Sequence, residues 1–304
     1  MSRPIAIIIT GPTASGKSAL AVNLAHKLKT DIISADSRQI YKGIPIVTAV
    51  PTLEEREGVK HHLMECLELN EYYSASRFEE DALSLLKDLF KEKETAIVCG
   101  GSMLYIDALM EGIDKLPTIP PLFRENLMNE WHNKGNNWLL NQLEKIDPDY
   151  FAKIDHRNLK RIFHALEVSL IARKPYSSLL KQKKAVRDFD ILKICLTGER
   201  EYLFHRINQR VIDMISKGLE EEARSVYHIK HFNSLNTVGL KEMFAYFDGD
   251  LDRETAISRI QKNTRVYAKK QETWHKRDKK AVWLDFATPP DINSNKIIKL
   301  MKEV

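Results

Sequence analysis

The sequence lacks any apolar run that could cross a bilayer, which takes about 18 consecutive apolar residues. The apolar run at residues 5–9 is also too short for the core of a signal peptide. Only three cysteines are present, and Cys66, Cys99 and Cys195 are scattered singly, which argues against disulfides and against a zinc site. Internal repeats and low-complexity tracts are lacking too. These absences argue against a membrane protein and a disulfide-rich secreted domain, and predict a cytoplasmic globular protein.

What the chain does have is enough length and apolar content for a sizeable core: 304 residues, of which 43% are hydrophobic. This length fits one large domain, or one domain with an insertion. The net charge of +5 is mildly basic, which suits nucleic-acid binding but is common among other enzymes. The local distribution of charge therefore has to decide whether nucleic acid is a partner.

Short β-rich apolar runs alternate with helical patterns along the chain. This alternation predicts an α/β fold, with a parallel sheet flanked by helices. The predicted strands are residues 5–10, 32–35, 96–99, 191–197 and 282–284. Leucines at helical spacing, such as Leu20, Leu24 and Leu28, predict the helices between them.

Prolines interrupt this alternation after Leu116, at Pro117, Pro120 and Pro121. A mostly helical and polar stretch then follows before the next predicted strand. We therefore expect an α/β core formed by residues 1–116 and 187–304, and an all-helical insertion at residues 117–186.

A glycine-rich loop stands between the first predicted strand and the first predicted helix, in the pattern and setting of a phosphate-binding loop. The loop consists of Gly11, Pro12, Thr13, Ala14, Ser15, Gly16, Lys17 and Ser18. Its backbone N–H groups can turn towards an anion, Lys17 adds a mobile positive charge, and the Ser18 hydroxyl can ligate Mg²⁺ carried by phosphates. The loop predicts a polyphosphate ligand but does not tell whether that ligand is a nucleotide.

An acidic residue follows the second predicted strand and not the third. Residues 96–99 run into Gly100, Gly101 and Ser102, where a motor-type ATPase would usually carry an acid. Asp36 instead comes at the carboxyl end of strand 32–35, on the sheet edge where ligands bind in such folds. A turn cap is the alternative role for Asp36, but its position beside the phosphate loop favours a functional one.

The segment at residues 256–280 combines a packing face with an excess of positive charge. At helical spacing, one face carries Ile257, Ile260, Thr264, Tyr267, Gln271 and Trp274. Basic residues lie largely off that face: Arg259, Lys262, Arg265, Lys269, Lys270, Lys276 and Arg277. A solvated charged helix is the usual interpretation, but this charge beside Tyr267 and Trp274 favours contact with RNA.

Asp36 opens a series of motifs that runs along nearly the whole chain. They are Asp36-Ser37-Arg38-Gln39-Ile40-Tyr41-Lys42, His61-His62-Leu63, Gly100-Gly101-Ser102-Met103-Leu104-Tyr105, Ala165-Leu166-Glu167-Val168, Val238-Gly239, and the stretch from Thr264 through Lys269-Lys270-Gln271 to Trp274. With the phosphate loop before them, these motifs resemble the tRNA dimethylallyltransferase (tRNA isopentenyltransferase) family in content and in order.

The resemblance implies a specific reaction. A dimethylallyl group would pass from dimethylallyl diphosphate to N6 of the adenosine at tRNA position 37, giving N6-isopentenyladenosine and diphosphate. The phosphate loop would then hold the diphosphate of the prenyl donor rather than ATP. Mg²⁺ bound through Ser18 is the implied cofactor, and a monomer is the implied state.

The resemblance also assigns residues. Catalysis falls to Asp36, Ser102, Lys17 and Arg210, with Ser102 standing where the family commonly has threonine. The diphosphate would be held by Gly11, Thr13, Ala14, Ser15, Gly16, Lys17, Ser18 and Arg210. The tRNA anticodon arm would be held by the helical insertion and by Asp36, Ser37, Arg38, Gln39, Ser102, Arg124, Lys160, Arg161, His164, Lys269, Lys270, Gln271, Trp274 and Arg277.

Four positions depart from the family pattern. They are His164 and Lys270, where arginine is common, Val50, where lysine precedes proline, and Leu240, where tyrosine follows Val-Gly. All four lie on the expected tRNA or packing side, so the departures bear on tRNA affinity rather than on the reaction.

Two other classes of function stay open from the residues alone. A small-molecule P-loop kinase that uses ATP would explain the loop and Asp36 but not the basic helix. A non-catalytic RNA-binding protein would explain the basic helix but leaves Asp36 beside Lys17 without a purpose.

Overall fold

The computed structural model describes residues 3–180 and 184–303. The chain forms two compact units, which we call the sheet unit (Met1–Glu111 with Val186–Val304) and the helical unit (Gly112–Ala185). In the described residues, no helix combines the length and apolarity that crossing a membrane would require.

A parallel sheet of six strands lies at the centre of the sheet unit. The strands are β1 (Ile5–Thr10), β2 (Ile32–Ser34), β3 (His61–His62), β4 (Thr95–Cys99), β5 (Asp190–Thr197) and β6 (Val282–Asp285). Their order across the sheet is β3-β2-β4-β1-β5-β6. The predicted parallel sheet is confirmed. Strand β3 was not predicted, because two polar residues give no periodic signal.

The helices surround this sheet or build the helical unit. They are α1 (Lys17–Leu28), α2 (Pro45–Thr48), α3 (Leu53–Arg56), α4 (Ala75–Leu89), α5 (Met103–Glu111), α6 (Pro121–Ile146), α7 (Pro148–Phe151), α8 (Leu159–Ala172), α9 (Tyr176–Leu179), α10 (Arg200–Ser216), α11 (Leu219–Ser225), α12 (Leu240–Phe247), α13 (Arg253–His275) and α14 (Pro290–Leu300). Helices α6 to α9 belong to the helical unit.

Helices cover both faces of the sheet, which explains why its central strands are apolar throughout. Side chains of β1 alternate: Ile7 and Ile9 pack in one buried cluster, Ala6 and Ile8 in the other. Helices α1 and α14 contribute to the first cluster, and α4 and α5 to the second. All strands of a parallel sheet end on the same edge, so the loops after β1, β2 and β4 meet there.

The helical unit has a core of its own, formed mainly between α6 and α8. Its fully or nearly buried residues are Leu127, Leu139, Leu143, Ile162, Phe163, Ala165 and Leu166. Helix α6 is interrupted at Gly135, where a positive φ of 79° is one that glycine adopts readily. Asp147, 1% exposed, holds two short helices together. It accepts hydrogen bonds from the amide of Tyr150 in α7 and from the amide and hydroxyl of Ser177 in α9.

Replacing Asp147 by alanine should destabilise the helical unit by about 2 kcal/mol, because a buried carboxylate that caps one helix and bonds another is lost. Asp149→Ala in the same helix is the matched control, since Asp149 is exposed. Hydrogen exchange of the helical unit measures the loss. Equal protection in both variants would contradict this role.

Candidate active site

The phosphate loop follows β1 and ends at the first turn of α1. Gly11 and Gly16 have positive φ values of 142° and 85°, and Ala14 one of 63°. A side chain at Gly11 would meet the backbone of Leu196 in the neighbouring strand, so the residue must be glycine. Gly16 caps α1 without a side-chain hydrogen bond, which leaves the helix N-terminus open to an anion.

Lys17 is folded back onto the loop that carries it. Its Nζ donates to the carbonyl oxygens of Pro12 at 2.7 Å and of Gly11 at 3.1 Å. The pKa of Lys17 is lowered to about 8, mainly by burial and in part by the charge of Arg210, while Cys99 and Asp36 oppose the shift. An anion bound beside the Lys17 ammonium would therefore stabilise its charged form.

A cavity of about 580 Å³ opens beside this loop, within the sheet unit. Of the predicted site residues, it is lined by Thr13, Ala14, Gly16, Lys17, Ser18, Asp36, Ser37, Arg38, Gln39, Arg210 and Gln271. Gly11, Ser15 and Ser102 lie nearby but do not line it. The rest of the wall is partly apolar, with Val47, Val211, Met214, Val238 and Ile260 among its residues. The cavity thus joins an anion site to a surface that suits a hydrocarbon.

Asp36 lies at the carboxyl end of β2 and serves as a turn cap as well as a cavity residue. Its Oδ1 accepts hydrogen bonds from the amides of Arg38 at 2.9 Å and Gln39 at 3.3 Å. No described residue donates a hydrogen bond to Oδ2. One carboxylate oxygen is therefore fixed by the backbone, and the other can accept a hydrogen from a ligand.

Arg210 belongs to α10 and is partly buried, and this burial lowers its pKa. Arg206, one turn earlier on the same helix, lines the cavity as well, and its guanidinium would lie 3.6 Å from a Cβ built on Gly16. Neither guanidinium donates a hydrogen bond within the described residues. Sequence reasoning missed Arg206, although its i, i+4 spacing from Arg210 could have indicated a shared helix face.

The side chains after Asp36 are used inside the protein. Arg38 donates to the carbonyl oxygens of Asn233, Ser234 and Asn236 at 2.7 to 3.1 Å. Gln39 donates to those of Thr48 and Ala49 at 3.1 and 3.0 Å. These bonds fix segments of the cavity wall. Arg38 and Gln39 therefore have a structural role in addition to the tRNA contact that the resemblance implies.

Ser102 is 7% exposed and connects two loops of the site. Its Oγ accepts a hydrogen bond from the amide of Ser37 at 2.8 Å. Its own amide donates to the carbonyl oxygen of Ala35 at 3.2 Å. Gly100 lies so close that an added Cβ would overlap the backbone of Ala35. The loop after β4 is thereby packed against the loop that carries Asp36.

Helix α13 has one side in the cavity wall and basic residues outside it. Tyr267 lines the cavity, and burial raises its pKa to about 12, so it stays a neutral hydrogen-bonding phenol. Lys269 and Lys270 are exposed. Trp274 donates from Nε1 to Asp107 at 2.8 Å, and the guanidinium of Arg277 lies 3.8 Å from the Trp274 ring centre. The helical pattern of the sequence includes Tyr267 but does not predict that this residue lines the cavity.

The remaining predicted tRNA contacts lie in the helical unit. Lys160 and Arg161 are exposed on the first turn of α8. Arg124 and His164 both bond to Glu167, a carboxylate with a side chain only 2% exposed. The contacts are 2.8 and 2.6 Å from Arg124 and 2.8 Å from His164. Burial alone would raise the pKa of Glu167, but the bonds from His164 and Arg124 outweigh it and lower that pKa.

Residues 39–278 match the family model described as IPP transferase. The chain is 48% identical over 276 residues to tRNA dimethylallyltransferase 2 of Porphyromonas gingivalis, covering 91% of this chain and 92% of that protein. It is 44% identical over 280 residues to tRNA dimethylallyltransferase 1 of Bacteroides thetaiotaomicron, covering 92% and 91%. The chain belongs to the IPP transferase family.

Solved structures agree with this membership. The full-length tRNA isopentenylpyrophosphate transferase of Bacillus halodurans is similar with a TM-score of 0.73 and 33% identity, over 99% of this chain and 96% of that one. A eukaryotic dimethylallyltransferase acting on tRNA is similar with a TM-score of 0.80 and 28% identity, over 93% and 74%. The predicted family and the P-loop NTPase-like fold class are therefore confirmed for this IPP transferase.

A divalent cation would have few protein ligands in this family member. No group of three or more His, Cys, Asp or Glu that could hold a metal exists among the described residues. Ser18 is exposed and lines the cavity, so its hydroxyl can serve as one ligand. The site fits an Mg²⁺ ion that takes its other ligands from phosphate oxygens and water.

Binding of inorganic diphosphate should weaken as the pH rises through about 8, because Lys17 has its pKa near this value and loses its charge above it. The diphosphate itself only gains charge over this range, so a loss of affinity has to come from the protein. Calorimetric titration with Mg²⁺ on both sides of this pH measures the effect. Lys17→Arg, which stays charged, should flatten the profile. An unchanged fall in that variant would contradict the assignment.

Proposed function

We propose that this IPP transferase moves a dimethylallyl group from dimethylallyl diphosphate to N6 of the adenosine at tRNA position 37. The observation that carries the proposal is the composition of the cavity, where the phosphate loop, Asp36, two arginines and an apolar wall meet. The names of its relatives, which are tRNA dimethylallyltransferases, support the same substrate pair.

The donor half of the reaction needs positive charge around a leaving diphosphate. As the bond between the allylic C1 and the bridging oxygen breaks, C1 gains carbocation character and the oxygen gains negative charge. The open N-terminus of α1, Lys17 and Arg210 can hold that charge, with Arg206 close to the same loop. Lys17 would exchange its bonds to Gly11 and Pro12 for bonds to the phosphates.

Mg²⁺ bound to the diphosphate and to Ser18 would supply further charge neutralisation. The apolar wall near Val211, Met214 and Val238 would receive the dimethylallyl group. Apolar side chains around the reactive carbon offer no hydrogen-bond partners that would hold a water molecule there, which favours the amine as the attacking group.

The acceptor half needs a base, because the exocyclic amine of adenine is a weak nucleophile whose lone pair is delocalised into the ring. Its hydrogen becomes acidic only as the new C–N bond forms. Asp36 is suited to take this proton, since its Oδ1 is held by two backbone amides while Oδ2 can accept from N6. Ser102 would help to position the base, directly or through the loop that carries Asp36.

The tRNA would lie across the basic surface of α13 and be gripped by the helical unit. Lys269, Lys270 and Arg277 are exposed and can contact backbone phosphates. Lys160, Arg161, Arg124 and His164 would do the same in the helical unit. The target base has to leave its stack to reach Asp36, and Tyr267 offers an aromatic surface inside the cavity. A monomer acting in the cytoplasm completes the proposal.

Asp36→Asn should lower turnover by roughly 100-fold or more, because asparagine keeps the acceptor for the two amides but cannot take the proton. Binding of tRNA should change less than about twofold, since the chemical step alone is affected. The assay uses unmodified tRNA, radiolabelled dimethylallyl diphosphate and Mg²⁺ in a single turnover, followed by nucleoside mass analysis.

Asp88→Asn serves as the matched control, because Asp88 is an exposed carboxylate of α4 away from the cavity. An equal loss of tRNA binding and turnover in Asp36→Asn would give Asp36 a positioning role instead. Phosphate transfer from ATP to a small molecule, with no label on tRNA, would replace the proposal by the kinase alternative.

Replacing Lys269 and Lys270 together by methionine should weaken tRNA binding about tenfold and reduce the dependence of log Kd on log salt concentration by about two. Lys296 and Lys299 provide the control pair, because both are exposed on α14 and the change in net charge is the same. Filter binding at several salt concentrations measures both slopes. Identical slopes in the two double variants would remove α13 from the tRNA interface.

A further inference from the structure

Gln271 is the residue of α13 that bonds to both loops of the active site. It is 2% exposed although it lies directly beside the exposed Lys270. Its Oε1 accepts a hydrogen bond from the amide of Thr13 in the phosphate loop at 2.9 Å. Its Nε2 donates to the carbonyl oxygen of Gly101, in the loop after β4, at 2.9 Å. One side-chain amide thus joins the diphosphate side of the cavity to the acceptor side.

The fit at Gly101 shows how closely this amide is held. A Cβ added at Gly101 would overlap the Nε2 of Gln271. The next residue, Ser102, bonds to the amide of Ser37, which follows Asp36. The placement of Gln271 therefore affects the phosphate loop directly. It affects the Asp36 loop indirectly, through its bond to Gly101 and the bond between Ser102 and Ser37.

Neighbouring residues anchor the same end of α13, so that Gln271 acts from a fixed support. His275, one turn later and 0% exposed, bonds through Nε2 to the hydroxyl of Thr10 at 2.9 Å. Trp274 bonds to Asp107 of α5, and Lys193 of β5 bonds to Asp278 just beyond the helix. These contacts fix the helix to the sheet, but of the three residues, Gln271, His275 and Trp274, only Gln271 reaches the loop residues that line the cavity.

We infer that Gln271 is a positioning residue that transmits the placement of α13, and of a tRNA held on its outer surface, to the phosphate loop. The inference rests on the proposed function, since it takes tRNA as the ligand of α13. Because coupling between two ligands is reciprocal, tRNA should change the affinity for diphosphate, and diphosphate should change the affinity for tRNA by the same factor.

The contribution of Gln271 goes beyond general stability, because its two hydrogen bonds end on the two active-site loops rather than on the core. Gln271→Met keeps the length and burial of the side chain but removes both bonds. Gln261→Met on the same helix is the matched control, since Gln261 is partly buried but does not line the cavity. Gly101→Ala is an independent variant that displaces the Gln271 amide without changing α13.

The experiment measures binding of inorganic diphosphate with Mg²⁺ by calorimetry, in the presence and in the absence of unmodified tRNA. In the wild-type protein the two affinities should differ several-fold. In Gln271→Met the ratio should fall to about one, and diphosphate binding without tRNA should weaken about tenfold. Binding of tRNA alone should change less than about twofold.

Gly101→Ala should reproduce the effect of Gln271→Met, and the double variant should be no worse than either single one, because all three lose the same contact. A wild-type ratio of one, or an unchanged ratio in Gln271→Met, would overturn the inference. Additive losses in the double variant would do so too. If Gln271→Met fails to fold, the ratio in Gly101→Ala decides alone.

Both readouts are equilibrium affinities, so this inference and the proposed function fail in different ways. A protein that couples diphosphate to tRNA but transfers no label would refute the reaction and leave Gln271 as assigned. If the Gln271→Met variant labels tRNA with the kcat and KM of the wild-type protein, the positioning role is refuted and the reaction is unaffected.

Discussion

The parallel pairing of β1 with β4, and of β4 with β2, is the constraint on which the site depends. It brings three loops to one edge of the sheet, so that the phosphate loop, Asp36 and the Gly100–Gly101 turn become neighbours although they are far apart in sequence. The close approach at Gly100, where any side chain would overlap Ala35, shows how tightly two of these loops are pressed together. Two arginines and part of the apolar wall are then added by α10 and α13, which come from the C-terminal half of the chain.

Several cations in this protein are held by carbonyls or by a buried acid. Lys17 bonds to two carbonyl oxygens of its own loop, and Arg38 bonds to three carbonyls across the sheet unit. Arg124 is held by the buried Glu167 of the helical unit. Arg206 and Arg210, in contrast, face the cavity without a hydrogen-bond partner in the described residues. Arg206 and Arg210 can therefore pair with an anion directly, whereas Lys17 has to give up its carbonyl bonds first.

Local patterns allowed much of the fold and part of the site to be predicted. The apolar run of β1, the glycine spacing of the loop and the position of Asp36 after β2 are all short-range signals, and they predicted the sheet and the anion site. Strand β3 was missed because its two residues, His61 and His62, are polar and too few to show a strand pattern. The partners of Gln271 could not be predicted, since Thr13 and Gly101 lie 258 and 170 residues away along the chain. Burial of Gln271 follows from helical period, but the identity of its partners depends on tertiary structure.

The contact between Gly101 and Gln271 also restricts how this protein can vary over evolutionary time. A side chain at position 101 would displace the amide of Gln271, and a shorter residue at position 271 would give up the bond to Thr13. A change at either position alone therefore disturbs the bond between Gln271 and the phosphate loop. We therefore expect residues 101 and 271 to change together during evolution, although they lie 170 positions apart in the sequence.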